Sequence, residues 1–536
     1  SAQTADALAR AAGSSAQTAS SAAAAAQEAA DNAAASAQTA AAVAEAAQQT
    51  ADSKVASVTG DGYVSATGDS AVTVSLDSSK IQAPEVTSAY TNTKLAQAGY
   101  VDEKVASVGT IQDKTITLKF IDSGGTSQDI ESFTLNQAID EEIELYGVAT
   151  IDDIIDIFAP PAVKFTAKQA NSTVGLNRKS PYQTLEYSTD NGNTWNSMTT
   201  ATTITLANSG DSVRVRGVLS SNNSSSNYTK FTMTGNIKAS GNINYLWNKD
   251  NPDAALKQYC GSKLFSGCTA LSDVTELELP ATTLANLCYE SMFQGCTRLT
   301  TAPVLPATTL VQSCYYGMFK GCTSLTSAPE LPATTLADYC YSYMFDGCYG
   351  LTTPPELPAT TLAVNCYQYM FSNCISLTTA PVLPATTLSV GCYSGMFNCA
   401  ALTTAPALPA TTLTMSCYDS MFYGCASLTT APVLPATTVV DNCYAFMFYG
   451  CKSLTTAPVL PATTLSSYGC YQGMFQQCII LNYIKCLATN ISSKQDCTAN
   501  WVSEVASIGT FVKASSMTGW TSGDSGIPKS WTVRNA

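Results

Sequence analysis

Apolar and small residues recur at a fixed interval in the C-terminal half of the chain. The pentapeptide Leu-Pro-Ala-Thr-Thr occurs eight times, beginning at residues 279, 305, 331, 357, 383, 408, 434 and 460, so that six intervals are 26 residues and one is 25. A unit of this size buries its apolar side chains only by stacking on its neighbours. The pattern therefore predicts a solenoid over residues 245–485 with a period of 26.

The apolar positions inside one unit predict a short helix followed by an extended segment. A typical unit reads CYxxMFxGCxSLTTAPVLPATTL, in which Cys314, Met318 and Phe319 have the spacing of one helix face. Gly321 is the expected end of that helix, and Leu325 belongs to the extended segment. For this region the predicted fold class is a leucine-rich-repeat-like α/β solenoid.

Both ends of the solenoid carry large apolar residues where a neighbouring unit would be missing. Trp247 precedes the first, degenerate unit, and residues 486–536 contain three of the five tryptophans. Terminal units need such covers because one of their faces has no partner. We predict a C-terminal cap over residues 486–536.

Alanine occupies a heptad seam at the start of the chain. The segment SAQTA begins at Ser1, Ser15 and Ser36, offsets that are multiples of seven, and every a and d position of this register is alanine. This predicts an α-helical coiled-coil stalk over residues 1–53. A low-complexity helical tract is the alternative. The seam residues are Ala2, Ala5, Ala9, Ala12, Ala16, Ala19, Ala23, Ala26, Ala30, Ala33, Ala37, Ala40, Ala44, Ala47 and Ala51.

Alternating apolar and polar residues predict small β modules between the stalk and the solenoid. Residues 54–109 are predicted to form a stalk node with short strands and a helix. Residues 110–161 are expected to contain a β-hairpin and an acidic helical linker that ends at two consecutive prolines. Residues 162–244 read as an Ig-like β sandwich, because short alternating strands follow one another with turn residues between them. The whole chain is thus predicted to be multidomain and elongated.

Charge and composition argue against catalysis and against nucleic-acid binding. The chain has 40 acidic and 26 basic residues, a net charge of -14, and no histidine. Negative charge repels phosphate backbones, and the lack of histidine removes the commonest general base and metal ligand. We predict no catalytic residue, no cofactor, no metal site and no enzyme activity. The absence of an apolar run of about 18 to 20 residues predicts no membrane insertion.

Cysteine is frequent, and its spacing restricts its role. All 20 cysteines lie between Cys260 and Cys497, mostly in pairs eight residues apart. A helical segment would separate such a pair by about 10 Å, too far for a disulfide, and zinc would need four thiolates without a CxxC motif. Bridges between units are the open alternative. We predict buried, reduced thiols that pack as small apolar side chains.

The MFxGCxSL core and the LPATT turn resemble the leucine-rich repeats of BspA-like bacterial surface proteins over residues 260–485. The closing GIPKSWTV, at residues 526–533, is similar to the end of such proteins in gut bacteria and their phages. The alanine seam and the stalk node resemble segments of phage fibres, in which three chains wind together. BspA-like proteins imply adhesion to host or bacterial surfaces, and phage fibres imply a homotrimer with receptor binding.

The resemblances lead to one main functional prediction and two alternatives. The main prediction is a non-enzymatic tail or head fibre of a virion, assembled in the bacterial cytoplasm and joined to other virion proteins by its N-terminal end. The lack of a secretion signal and surface anchor favours this prediction. The alternatives are a bacterial surface adhesin of the BspA-like type and a decoration or connector fibre without receptor binding.

Aromatic residues at the variable positions of the repeat are the candidate receptor contacts. The two residues after Cys-Tyr and the residue after Met-Phe differ between units, whereas SLTTAPVLPATTL is nearly constant. Exposed aromatics suit a host-surface glycan or protein because they bury a large area with few rotors frozen. An aromatic spine between units is the alternative, above all for the constant Tyr after each Cys. The candidates are Tyr316, Tyr343, Tyr369, Tyr423, Phe446 and Tyr449.

Overall fold

The computed structural model describes residues 63–64, 71–75, 115–121, 127–134, 159–398, 400–491 and 496–536. The chain divides into two units, residues 1–159 and residues 160–536. The coiled coil predicted over residues 1–53, with its alanine seam, lies outside the described residues, as does the acidic helical linker.

The described part of the first unit is one antiparallel sheet. Its strands are β1 (Tyr63–Val64), β2 (Ala71–Ser75), β3 (Thr115–Ile121) and β4 (Ser127–Thr134). They pair in the order β1-β2-β3-β4, and Ile121 of β3 lies opposite both Ala71 of β2 and Ser127 of β4.

The second unit begins with two packed sheets. Its strands are β5 (Val163–Ala167), β6 (Ser172–Arg178), β7 (Gln183–Ser188), β8 (Asn196–Ser197), β9 (Thr203–Leu206), β10 (Ser212–Leu219), β11 (Lys230–Thr234), β12 (Ile237–Asn242) and β13 (Leu271–Glu278). One sheet has the order β13-β12-β5-β10-β7-β8 and the other β11-β6-β9. Phe165 of β5 packs on Phe231 of β11 across the two sheets, with ring centroids 5.1 Å apart.

The solenoid continues from this sheet. Strand β13 leads directly into the first Leu-Pro-Ala-Thr-Thr copy and pairs in parallel with β12. The remaining regular elements are a 3-10 helix (Ile243–Leu246) and the strands β14 (Thr464–Leu465), β15 (Tyr483–Cys486), β16 (Asn490–Ile491), β17 (Thr510–Lys513) and β18 (Thr532–Asn535). Strands β14 and β16 pair in parallel, and so do β15, β17 and β18.

The predicted fold class is wrong in its helical content. We expected a helical coiled coil and an α/β solenoid, but the described residues contain strands and turns and no α-helix. In the repeat a residue with left-handed backbone recurs at every fourth position, as at Ser313 (φ 53°), Gly317 (φ 56°) and Gly321 (φ 73°). Such residues interrupt an α-helix. Cys314, Met318 and Phe319 are nevertheless all buried, as the spacing predicted.

Backbone hydrogen bonds explain why the turns replace a helix. The N–H of Cys314 donates to the carbonyl of Val311, three residues earlier, at 3.3 Å, whereas the next N–H, of Tyr315, donates to Cys340 of the following unit at 3.1 Å. This alternation continues through the segment, so half of the N–H groups donate to carbonyl oxygens of the following unit and thereby join one unit to the next. The donors of one unit are Ser313, Tyr315, Gly317, Phe319 and Gly321, at 2.7 to 3.1 Å from their acceptors.

Stacked aromatic ladders fill the solenoid core. The Phe of each Met-Phe stacks on its equivalent in the next unit, as Phe319 does on Phe345 with centroids 5.8 Å apart. The constant Tyr after each Cys forms a second, buried ladder, with Tyr315 and Tyr341 5.9 Å apart. The aromatic-spine alternative is thus correct for the constant tyrosines.

The 19 cysteines that the structure describes are all buried and form no disulfide. Cys322 donates from Sγ to the carbonyl of Phe293 in the preceding unit at 3.1 Å, and Cys374 does the same to Phe345 at 3.2 Å. Burial raises the pKa of the Cys322 thiol well above its usual value. The thiols therefore serve both as small apolar side chains and as hydrogen-bond donors between units.

The ends of the ladders are covered by neighbouring segments. At the first unit, Phe231 stacks on Phe265 with centroids 5.5 Å apart, so the sandwich core runs into the solenoid core. At the last, Trp501 stacks on Tyr471 at 6.3 Å and on Trp520 at 5.4 Å. Among the described residues, no helix has the length and apolarity needed to cross a bilayer.

Candidate binding surface

The variable positions of the repeat lie along one side of the solenoid, which we call the variable face. It consists of the residues two, three and six positions after the Cys of each Cys-Tyr pair. Its small members, such as Ser342 and Ser394, are buried, and its large members are partly exposed. All six candidate aromatic residues belong to it, and all six are half-buried. Their rings therefore combine a packed side with an accessible one.

The backbone under several of these rings is left-handed. The residue three positions after Cys has φ 57° at Tyr343, 52° at Tyr369 and 52° at Phe446. A side chain in this region costs about 1–2 kcal/mol compared with glycine. Glycine does occupy the same position in other units, for example Gly317 and Gly395. The aromatic residues thus stand at a position where the backbone favours glycine, and where serine and lysine also occur, as at Ser291 and Lys263.

The candidates form two clusters. In the first, the ring of Tyr343 lies 5.6 Å from that of Tyr316 and 5.0 Å from that of Tyr369, centroid to centroid. In the second, Tyr423 and Tyr449 stack at 4.4 Å with planes 3° apart. Phe446 packs edge-on against Tyr449 at 6.4 Å.

A cation belongs to the first cluster. The Lys320 ammonium lies 4.7 Å from the ring centroid of Tyr343 and pairs with the carboxylate of Asp346 at 3.0 Å. Burial, followed by the neighbouring Tyr316, Tyr369 and Asp346, raises the pKa of Tyr343 to about 12. Its hydroxyl therefore stays protonated at neutral pH.

A gap with small side chains separates the clusters. The unit that begins at Cys392 carries Ser394, Gly395 and Asn398 on the variable face. A Cβ built on Gly395 would lie 2.2 Å from Cε1 of Tyr369, so the Tyr369 ring covers this glycine. Tyr343 stacks on Tyr369, and Tyr423 stacks on Tyr449, so each of these four rings has one face covered by its partner. Their edges and polar groups are what a partner meets.

The described residues contain no group of three or more potential metal ligands, and the described thiols are buried. What the face offers is aromatic area, hydroxyl groups and carboxylates, which suits binding.

Sequence reasoning missed three residues of this surface. Asp346 completes the Lys320 site, Gly395 makes room for Tyr369, and Asp419 borders the gap. A signal for the carboxylates was present in the sequence, because no Lys or Arg occurs between Lys320 and Lys452. The contact between Gly395 and Tyr369 had no such signal.

The family model for the BspA type leucine rich repeat region matches in six copies, over residues 256–378 and 364–505. The repeats are BspA-type leucine-rich repeats. No curated protein and no solved structure matches the chain. Leucine-rich-repeat families are generally non-enzymatic binding modules.

The BspA-type match also bears on the functional predictions. It supports surface adhesion or protein binding, which is the alternative, better than it supports the virion fibre. Neither the comparisons nor the described structure indicates a phage fibre.

Proposed function

We propose that this chain is an adhesin whose BspA-type repeats bind a protein on a cell surface through the variable face. The observation that carries the proposal is the pair of half-buried aromatic clusters on a backbone that favours glycine. Aromatic residues of this kind dominate the energy of many protein interfaces. The repeat itself supplies a rigid, continuous support for them.

The contacts between the rings favour a protein over a glycan. A sugar commonly packs on the face of an aromatic ring, but the facing surfaces of Tyr423 and Tyr449 are covered by each other. The Tyr369 ring likewise covers Gly395. Ring edges and hydroxyl groups suit the mixed apolar and polar contacts of a protein interface.

Binding of the full chain to cells tests this function. Fluorescently labelled chain is titrated onto panels of bacterial and epithelial cells, and the apparent Kd is measured. The double variant Tyr343→Gly with Tyr449→Gln uses residues that other units carry at the same positions, so the fold should be preserved. We expect at least about a tenfold loss of affinity, as for interface hot spots.

The matched control changes two apolar residues outside the variable face. Val382 and Val433 are each 80% exposed, and other units have Ala or Glu at their position. The double variant Val382→Ala with Val433→Ala should bind within about twofold of the unchanged chain. Equal losses in both double variants, or none in the first, would contradict the proposal.

A further inference from the structure

The central units of the solenoid carry negative charge only. Between residues 321 and 451 the chain has no Lys or Arg, although Lys320 and Lys452 lie at the two limits. Long runs of one sign attract partners of the other sign and raise their association rate. The acidic residues of this stretch are Glu330, Asp338, Asp346, Glu356, Asp419 and Asp441.

Asp419 is the acidic residue at the gap between the aromatic clusters. Its backbone carbonyl accepts from Gly395 N–H at 2.8 Å, and its side chain accepts from Ser420 Oγ at 2.8 Å. The residue is half-buried, and within the described ranges no Lys or Arg pairs with it. Burial also raises the pKa of Asp419. A partly desolvated carboxylate of this kind gains when a cation approaches.

Tyr369 lies over Gly395, whose N–H donates to the backbone carbonyl of Asp419 at 2.8 Å. Burial raises the pKa of Tyr369, and the charges of Asp419 and then Asp346 raise it further. Asp346 already pairs with Lys320, so Asp419 is the carboxylate near this ring that has no cation beside it among the described residues. Such a site favours a cation and disfavours phosphate, sulfate or a carboxylate-bearing glycan.

Elsewhere on the variable face, a ring and a carboxylate already hold one cation, although there both belong to the same unit. Lys320 lies over Tyr343 and pairs with Asp346, so ring and carboxylate hold one ammonium together. In the next part of the face, Tyr369 and Asp419 provide the ring and the carboxylate, and the sequence supplies no Lys to join them. Cation–π contact and ion pairing act together in such sites.

We propose that the variable face docks a basic segment of a protein partner, with a Lys or Arg side chain of that partner between Tyr369 and Asp419. This inference rests on the proposed function and specifies its partner. The aromatic clusters on either side of the gap would contact the partner's residues that flank the basic side chain.

Selection from an mRNA-displayed library of random 15-residue peptides tests the inference on the full chain. Peptides bound by the unchanged chain should be enriched in Lys and Arg relative to the starting library. For the best peptides we expect Asp419→Asn to weaken binding about tenfold. Tyr369→Gly should weaken it at least as much. Glu356→Gln removes the same charge outside the variable face and should change the Kd by less than about twofold.

Circular dichroism and urea midpoints of the three variants show whether each retains the fold. A version of each peptide with Lys replaced by Gln supplies a second measurement that does not depend on the folding of a variant.

Selected peptides that need Tyr343 and Tyr449 but lack basic residues would overturn this inference and leave the proposed adhesive function unaffected. Basic peptides that bind equally well to Asp419→Asn, or the absence of any binder, would also overturn it. If the selected peptides bind the Tyr343→Gly, Tyr449→Gln double variant as tightly as the unchanged chain, the result would count against the proposed function as well.

Discussion

Two glycines of the repeat allow a matched test of how the variable face is built. Gly347 and Gly395 both have left-handed backbone, with φ of 74° and 60°. A Cβ on Gly347 would meet only backbone atoms of Gly321, at 3.7 Å or more, which is ordinary contact. A Cβ on Gly395 would lie 2.2 Å from Cε1 and 2.4 Å from Cδ1 of Tyr369.

The expected costs follow from these distances. Gly347→Ala adds only the left-handed penalty, about 1–2 kcal/mol. Gly395→Ala adds the same penalty and also forces the Tyr369 ring out of its position, at about 0.5–1.5 kcal/mol for the displaced side chain. We therefore expect Gly395→Ala to destabilise the chain by about 1.5–3.5 kcal/mol.

Equilibrium urea unfolding of the full chain, followed by circular dichroism, gives the free energies from midpoint and slope. Each alanine variant is measured alone and in a Tyr369→Gly background. Without the ring, the cost of Gly395→Ala should fall to that of Gly347→Ala. The cost of Gly347→Ala should not change, because its Cβ does not meet Tyr369.

Equal costs for the two alanine variants would refute the reasoning, because the ring would then not lie on Gly395. An undiminished cost of Gly395→Ala in the Tyr369→Gly background would refute it in the same way. Either result would remove one of the two arguments for a protein partner over a glycan, namely that the Tyr369 ring covers Gly395.

Three further predictions concern stability and reactivity. Burial raises the pKa of Asp273, but hydrogen bonds from Lys168 and Thr275 outweigh it and lower this pKa to about 2. The ionised carboxylate therefore stabilises the fold above pH 4, and this contribution to the free energy of unfolding is lost as the pH falls toward 2. Asp273→Asn should thus lower the urea midpoint at pH 7 and leave it nearly unchanged at pH 2, and an equal loss at both would contradict this. Phe371 stacks between the rings of Phe345 and Phe397, each with its centroid 5.7 Å away. Phe371→Ala should therefore lower the free energy of unfolding in urea by about 3–5 kcal/mol, and a decrease under about 1 kcal/mol would contradict ring stacking. Cys322 should not react with iodoacetamide at pH 8 until urea unfolds the chain, because burial raises the pKa of its thiol. Mass spectrometry shows which cysteines are labelled, and rapid labelling of Cys322 in the native protein would contradict its burial.

Sequence alone was a good guide to which residues enter the core and a poor one to the backbone that carries them. A repeated unit can bury its apolar side chains only against the neighbouring units. The predicted core residues of one unit are accordingly all buried: Cys314, Met318, Phe319 and Leu325. The helix predicted from their spacing is wrong. Spacings of four and five residues also suit consecutive turns whose N–H groups bond to the next unit, and that partner is distant in sequence.

A local signal for the turns was present but was interpreted as a helix end. Glycine recurs four residues apart in single units, as at Gly317 and Gly321 or at Gly469 and Gly473, and a helix interior disfavours such residues. This recurrence marks the left-handed positions that separate one turn from the next. The predicted stalk, in contrast, lies outside the described residues.

The sequence by itself determined the period of the solenoid, its apolar positions and the set of variable aromatic residues. Only the tertiary structure decided that Tyr316, Tyr343 and Tyr369 form one cluster, that Tyr369 covers Gly395, and that Asp419 borders the gap. The physical reason is that stacking brings together residues from successive units, roughly one period apart in the chain. Which rings meet depends on the direction of each side chain, and that direction is set by left-handed backbone and by the neighbouring unit.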